Sequence, residues 1–171
     1  MSAKSTSDAA VDAAAVREVH RRFITGVTVV TTMDGDLPRG LAVNAFCSIS
    51  LEPPLVMVCV QTTSSTYPAL LRAEHLGINI LAADQTGVAG VFASKAADKF
   101  AELDWTPAAH GSPLLDGAAA RVEVEIGERL RASTHTAFLG RIVQAEHRDT
   151  DPLVYRAGKF FSPDGMTPLT A

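Results

Sequence analysis

The stretch AAARVEVEIG, residues 118–127, alternates apolar and charged side chains with a period of two. In an extended chain every second side chain lies on the same face. One face would therefore carry Val122, Val124 and Ile126, and the other Arg121, Glu123 and Glu125. This pattern predicts an antiparallel strand whose apolar face packs on a core while its charged face meets water.

The neighbouring segments supply partners for this strand. STHTAFLGRIVQAEH, residues 133–147, can return as its antiparallel neighbour, and VTVVTT with the Asp34-Gly35 turn predicts a hairpin further upstream. The continuous apolar runs LVMVCV (55–60) and GINILA (77–82) are typical of strands buried on both faces. LVYRAGKFF (153–161) adds a final extended piece.

Helical patterns are fewer. Val16, Val19 and Phe23 recur at helical spacing and predict an amphipathic helix of about four turns. A short helix is expected over 67–75, and another begins near a cap at Asp84, before a loop that contains Pro107. Because six or seven strands follow one another mainly through short turns, the pattern favours a mainly β fold with flanking helices, an antiparallel barrel that is closed or nearly so.

Composition predicts one domain in a soluble, cytoplasmic protein. The 171 residues carry 47% hydrophobic residues and a net charge of −4, which offers no positive field for nucleic acid or membrane. No signal peptide or membrane span is apparent, and the five histidines and two cysteines lack metal-ligand spacing. We expect a flexible tail over 1–10, one domain over 11–165, a C-terminal tail over 166–171, and no metal.

Hydroxyl side chains are concentrated between LVMVCV and the helix expected at 67–75. TTSSTYP, residues 62–68, places five hydroxyl residues in a row, and hydroxyls beside free backbone N–H groups can hold a phosphate. The alternative is that Ser65 or Thr66 simply caps the helix, for which one residue would suffice.

Two further features admit a ligand or a purely structural role. In RGLAVNAFCSIS (39–50), small residues around Asn44 would let a flat ligand approach the backbone, although asparagine is also common at bulges and turns. His135 shares a predicted strand face with Ala137, Leu139 and Val143, a pattern that by itself favours a histidine in the core.

Taken together, the motifs resemble the flavin reductase family, the reductase components of two-component flavin-dependent monooxygenases. The resemblance runs from about Val19 to Phe161 through TGVTVVTT, GLAVNAFCSISLEPPLVMVCV, SSTYPALL, INIL, FASKAADKF, STHTAFLGRI and PLVYRAGKF. It implies a homodimeric split β-barrel of the FMN-binding type. It also implies that NADH or NADPH reduces FAD or FMN, and that the reduced flavin diffuses to a separate oxygenase.

The resemblance also implies which residues form the site. The isoalloxazine and ribityl parts of the flavin would contact Arg39, Gly40, Leu41, Ala42, Val43, Asn44, Ala45 and Ser48. The flavin phosphate would lie on Gln61, Thr62, Thr63, Ser64, Ser65 and Thr66, and Lys99 and Phe100 would close over the flavin. His135 would act in catalysis beside the nicotinamide, and the nicotinamide nucleotide would also meet Tyr155, Arg156, Gly158 and Lys159.

The chain departs from the family pattern at two places. The family usually reads Gly-Asp-His where this chain has Ser133-Thr134-His135, and many relatives carry threonine where this chain has Ala42-Val43. Because Thr134 offers only a neutral hydrogen bond to His135, an alternative is a protein that retains its flavin for electron transfer or only binds it. A pyridoxamine-phosphate oxidase on a similar barrel fits these segments less well.

Overall fold

The computed structural model describes residues 11–167 and Leu169. Its helices are α1 (Ala13–His20), α2 (Tyr67–Arg72) and α3 (Thr86–Ala93), with a 3₁₀ turn at Pro163–Gly165. Its strands are β1 (Thr25–Gly26), β2 (Thr28–Asp34), β3 (Leu37–Val43), β4 (Phe46–Leu51), β5 (Pro54–Gln61), β6 (His75–Ile80), β7 (Trp105–Pro107), β8 (Pro113–Leu115), β9 (Ala120–Ala132), β10 (His135–His147), β11 (Val154–Arg156) and β12 (Lys159–Phe161). The expected tail over 1–10 lies outside the described residues, as does part of the expected C-terminal tail.

The main sheet has seven antiparallel strands in the order β3-β2-β6-β9-β10-β5-β4. The predicted hairpin is confirmed as β2 and β3, with Gly35 at a φ of 61° in its turn. The predicted pairing of residues 133–147 with the opening stretch is confirmed as β9 and β10. A second small sheet, β1-β11-β12, carries the C-terminal segment.

One apolar core joins strands from both ends of the main sheet order. Leu41 of β3 and Val58 of β5 lie in the same buried cluster as Val124 of β9 and Phe138 of β10. The sheet must therefore curve, since strands that are far apart in the order share one interior. A second cluster lies under α3, where the rings of Phe92 and Phe100 meet edge to face at 5.1 Å.

The helices differ from the sequence-based expectations. The first is half the expected length, since α1 has 8 residues, and none of them is buried. The second ends at Arg72, because β6 already begins at His75. The third starts after Gln85, so Asp84 is not its cap, and Gln85 instead accepts a hydrogen bond from the Ala82 N–H through its side chain (3.1 Å).

Glu123 is buried, although the alternation of β9 predicted it on the water-facing side. Its carboxylate accepts hydrogen bonds from the backbone N–H groups of His110 (2.9 Å) and Ser112 (3.1 Å), and it lies 3.0 Å from Nδ1 of His110. Burial alone would raise the pKa of Glu123, but these hydrogen bonds outweigh it and lower the pKa below the usual range. The loop before β8 thus covers one position of an otherwise exposed face, which no pattern within β9 could reveal.

The structure also differs from the prediction that the strand LVMVCV, now β5, is buried on both faces. Val56, Val58 and Val60 are buried, whereas Leu55, Met57 and Cys59 on the opposite face are only half-buried. A run that is apolar on both faces is therefore covered on only one face by the described chain.

Candidate active site

A groove of about 710 Å³ lies where the β3–β4 connection, the β5–α2 loop and the segment after α3 meet. Most residues implied for flavin binding line this groove, together with the implied catalytic histidine. They are Leu41, Ala42, Val43, Asn44, Ala45, Gln61, Thr63, Ser64, Ser65, Lys99 and His135. Segments far apart in sequence therefore converge on one site.

Other implied residues lie beside the groove or away from it. Arg39, Gly40, Thr66 and Phe100 line a small adjoining depression that shares Ser65 and Lys99 with the groove. Phe100 is 6% exposed and packs in the second core, so its ring is a core side chain and not a cover. Ser48 and Thr62 line neither surface, and the Thr62 hydroxyl donates to the Thr134 carbonyl (3.2 Å).

The hydroxyl-rich loop is held by two of its own members. Thr66 donates its hydroxyl proton to the Gly40 carbonyl (2.8 Å), which ties the loop to β3, and makes no side-chain capping bond to α2. Ser64 accepts from the Thr66 N–H through its hydroxyl (3.3 Å). The hydroxyls of Thr63 and Ser65 make no hydrogen bond within the described residues, and both side chains line the groove. These two groups can therefore accept a ligand.

Two lysines line the groove. Lys99 donates to the carbonyls of Phe92 (2.9 Å) and Gly40 (3.4 Å), and burial lowers its pKa from the ordinary value. Lys95 also lines the groove, although sequence reasoning did not select it. Its position within the FASKAADKF motif was the available signal. The Thr63 and Ser65 hydroxyls line the same groove as these two cations, a combination suited to an anion.

His135 is the first residue of β10, and its side chain is exposed. The interpretation of a core histidine is therefore wrong. It pairs in register with Gln61 of β5, and its Nδ1 lies 3.0 Å from the Thr134 hydroxyl, the neutral bond expected from the sequence. Ser133 adopts a φ of 52°, the left-handed conformation that the family's usual glycine would take without strain.

A second cavity of about 680 Å³ adjoins the groove, and the two share Asn44 and Ala45 as a wall. From the residues implied for the nicotinamide nucleotide it contains Tyr155 and Gly158, whereas Arg156 and Lys159 lie outside it. The remaining wall comes from Ala157 and from the N-terminal segment, which sequence reasoning did not select. These N-terminal residues are Arg17, Val19, His20, Arg21, Phe23 and Thr25.

Within the described residues, no group of three or more His, Cys, Asp or Glu side chains is placed to hold a metal ion. In the same part of the chain, every helix is too short or too polar to cross a membrane. The site consists of two connected spaces that share Asn44 and Ala45, one lined by hydroxyls and lysines and the other by apolar side chains and arginines. Such a pair can hold two flat, anionic molecules against each other.

The chain is similar to reductases that act with flavin. A family model described as "Flavin reductase like domain" matches residues 20–164. The reductase subunit HsaB of a flavin-dependent monooxygenase from Rhodococcus jostii (strain RHA1) is 36% identical over 95% of this chain and 88% of its own length. The FMN reductase (NADH) SmoA from Agrobacterium fabrum (strain C58) is 40% identical over 81% of this chain and 79% of its own length.

A solved structure has the same architecture. The NADH:FAD oxidoreductase SgcE6 of Streptomyces globisporus C-1027, in complex with NAD and FAD fragments, superposes with a TM-score of 0.83 at 35% identity. The match covers 90% of this chain and 95% of that chain.

Proposed function

The chain belongs to the flavin reductase family, and on that premise we propose that its two connected spaces hold the two reactants of a hydride transfer. The chain is an NAD(P)H:flavin oxidoreductase that supplies reduced FAD or FMN to a separate monooxygenase. The observation that carries the assignment is that Asn44 and Ala45 line both spaces. Molecules bound in the two spaces would therefore meet at these two residues.

The flavin is assigned to the groove. Its isoalloxazine would lie along Leu41–Ala45, where small side chains let a flat ring approach the strand. Its phosphate would lie on the hydroxyls of Thr63 and Ser65, with Lys95 supplying positive charge beside them. Support comes from the free hydroxyls, from the two lysines that line the same groove, and from a relative described as an FMN reductase.

The reaction requires alignment more than it requires a reactive side chain. A flavin accepts a hydride at N5 from C4 of a reduced nicotinamide, and the protein brings these atoms together. The chain contributes walls that position both rings, an asparagine amide at their junction, and an imidazole that can hydrogen-bond the nicotinamide. No covalent protein intermediate is required.

Oxidation of NADH and NADPH at 340 nm, with riboflavin, FMN, FAD or no added flavin, tests this assignment. We expect turnover that requires flavin, with a KM for riboflavin about tenfold above that for FMN because riboflavin lacks the phosphate. Equal KM values for riboflavin and FMN would contradict the phosphate site. Absence of turnover with both nucleotides and all flavins, in a protein that retains flavin, would favour the electron-transfer alternative.

We also propose that the curved sheet closes into a split barrel and that two copies associate through the outer face of β4, β5, β9 and β10. The Cys59 N–H donates to the Ala45 carbonyl (3.0 Å), which links the β3–β4 connection to β5. The outer face carries Ile49, Leu130 and the half-buried side of β5, an apolar surface of the kind that marks an interface.

Light scattering tests the association. The wild type should have twice the chain mass of 18.0 kDa. Leu130→Lys should shift it toward the monomer, because Leu130 is 52% exposed in the single chain and the charge would be buried at the interface. Leu37→Lys is the matched control, since Leu37 is 58% exposed in the β2–β3 hairpin, outside the proposed face. A monomeric wild type would refute the dimer.

A further inference from the structure

The first helix, α1, lines the second cavity but buries none of its residues against the rest of the described chain. None of its residues is buried; Val19 in the helix is 69% exposed, and Phe23, three residues after its end, is 72% exposed. Both side chains nevertheless line the 680 Å³ cavity, which Tyr155 and Ala45 also line. The segment from α1 to Phe23 therefore borders an open space, and its exposed apolar side chains are available to an occupant of that space.

The charged side chains that α1 and the residue after it contribute to the cavity are all basic. Arg17, His20 and Arg21 line the cavity, and no acidic side chain of the described residues does. Glu18 lies outside it and pairs with Arg21 (3.1 Å) and Arg22 (3.7 Å). Arg17 makes no ion pair with any residue that the structure describes. The cavity thus presents one guanidinium whose charge is not neutralised by the helix itself, and an anion is its natural partner.

A second, independent observation comes from β1. The Thr25 hydroxyl oxygen is buried and has no hydrogen-bond partner among the described residues, although Thr25 lines the cavity. A buried hydroxyl without a partner costs free energy, so a ligand that accepts its proton would offset that cost. Thr25 pairs in register with Tyr155, which places the hydroxyl residue and the aromatic residue on neighbouring strands of the same wall.

Two small residues, Ala157 and Gly158, also line the cavity. Ala157 and Gly158 connect β11 and β12 with φ values of 52° and 85°. An alanine in this left-handed conformation carries strain that asparagine or glycine would reduce. At this turn the largest side chain at the edge of the cavity is therefore a methyl group.

We propose that the cavity beneath α1 holds the adenosine-diphosphate half of the nicotinamide nucleotide, with Arg17 bound to its pyrophosphate and Thr25 donating to one of its oxygens. The inference rests on the proposed function and extends it, since α1 then determines nucleotide affinity. The apolar side chains of Phe23 and Tyr155 supply surfaces for a flat ring, and the junction at Asn44 leaves the nicotinamide end beside the flavin groove.

The test compares Arg17→Ala with Arg22→Ala, a matched control on the same helical segment that lies outside the cavity. Arg17→Ala should raise the KM for NADH about tenfold, with kcat nearly unchanged, because a charge-assisted contact to the substrate is lost. The Arg22 variant should match wild type. With 1-benzyl-1,4-dihydronicotinamide, which has no phosphate, Arg17→Ala and wild type should be equally active. Calorimetric titration with ADP-ribose should show the same loss of affinity without any turnover.

Thr25→Val is a second test, in which thermal stability should be kept or gained while nucleotide affinity is lost. Removing an unsatisfied hydroxyl should leave the Tm of the unliganded protein equal or higher, while the KM for NADH rises about threefold. A purely structural threonine would not raise KM while preserving Tm. Wild-type turnover with an unchanged KM in both the Arg17 and Thr25 variants would overturn this inference and leave the proposed function standing. Absence of flavin-dependent turnover in wild type would instead refute the proposed function.

Discussion

Replacement of His135 by alanine is expected to lower kcat/KM for NADH by about 10- to 100-fold, while the Kd for flavin changes by less than about threefold. The side chain lies in the groove at the start of β10, exposed and opposite Gln61. Productive transfer needs the reacting atoms about 3–3.5 Å apart, so loss of an orienting hydrogen bond affects turnover more than flavin affinity. Stopped-flow reduction of the flavin and a fluorescence titration measure the two quantities separately.

The neighbour of His135 determines which variant should preserve activity. The Thr134 hydroxyl lies 3.0 Å from Nδ1 and, unlike the family's usual carboxylate, it can donate a proton to that nitrogen. In the tautomer that accepts this proton at Nδ1, the ring proton is on Nε2 and would be available to the nicotinamide carboxamide. His135→Gln retains an N–H at a similar distance from the backbone, and should recover most of the activity that alanine loses. Equal losses in both variants would show that an N–H donor is not what the site requires.

His147 offers a matched control for this experiment. It is the last residue of β10 and exposed, twelve residues along the strand from His135, and it does not line the groove. His147→Ala should match wild type in both flavin affinity and turnover. If His135→Ala also matches wild type, the histidine has no part in hydride transfer, and the remaining walls of the two spaces suffice for alignment.

The strands could be predicted from the sequence where the cause of burial lies within the strand itself. The β2–β3 hairpin and the β9–β10 pair follow from local alternation and turn residues, and both are confirmed. Glu123 could not be predicted, because the loop that covers it belongs to another part of the chain and supplies the hydrogen bonds it accepts. Leu55, Met57 and Cys59 are only half-buried, because an apolar run does not show whether the same chain covers both of its faces.

The same distinction applies to the site. The hydroxyl run and the small residues before Asn44 are contiguous in sequence, so their pattern was visible, and both segments line the groove. Arg17 and Thr25 lie in the same cavity as Tyr155, more than a hundred residues later, and no local pattern connects them. His135 lines the groove, whereas strand alternation alone favoured the core; its role beside the nicotinamide stays a prediction from the resemblance. Long-range assembly of the second cavity is what the sequence could not show.

Gly140→Ala should destabilise the chain by more than about 3 kcal/mol, the largest loss of stability expected from a single methyl group in this fold. Gly140 is buried in β10, where it pairs with Ile126 of β9 and Val56 of β5. An added Cβ would overlap the Glu125 carbonyl oxygen and lie 2.5 Å from Cγ1 of Val124. Backbone on one side and a core side chain on the other leave no direction in which the methyl group can relax.

The control for this prediction is Gly127→Ala in the neighbouring strand β9. The β9–β10 register shifts beside Gly140, and Gly127 is the residue of β9 left without a partner there. A Cβ on Gly127 would have the Leu139 carbonyl oxygen at 3.8 Å as its nearest neighbour, an ordinary contact. Gly127→Ala should therefore change stability by less than about 0.5 kcal/mol. Urea unfolding followed by the fluorescence of Trp105, the single tryptophan, measures both variants. Equal midpoints would show that β9 and β10 can separate locally to admit the methyl group, contrary to the packing described for the core.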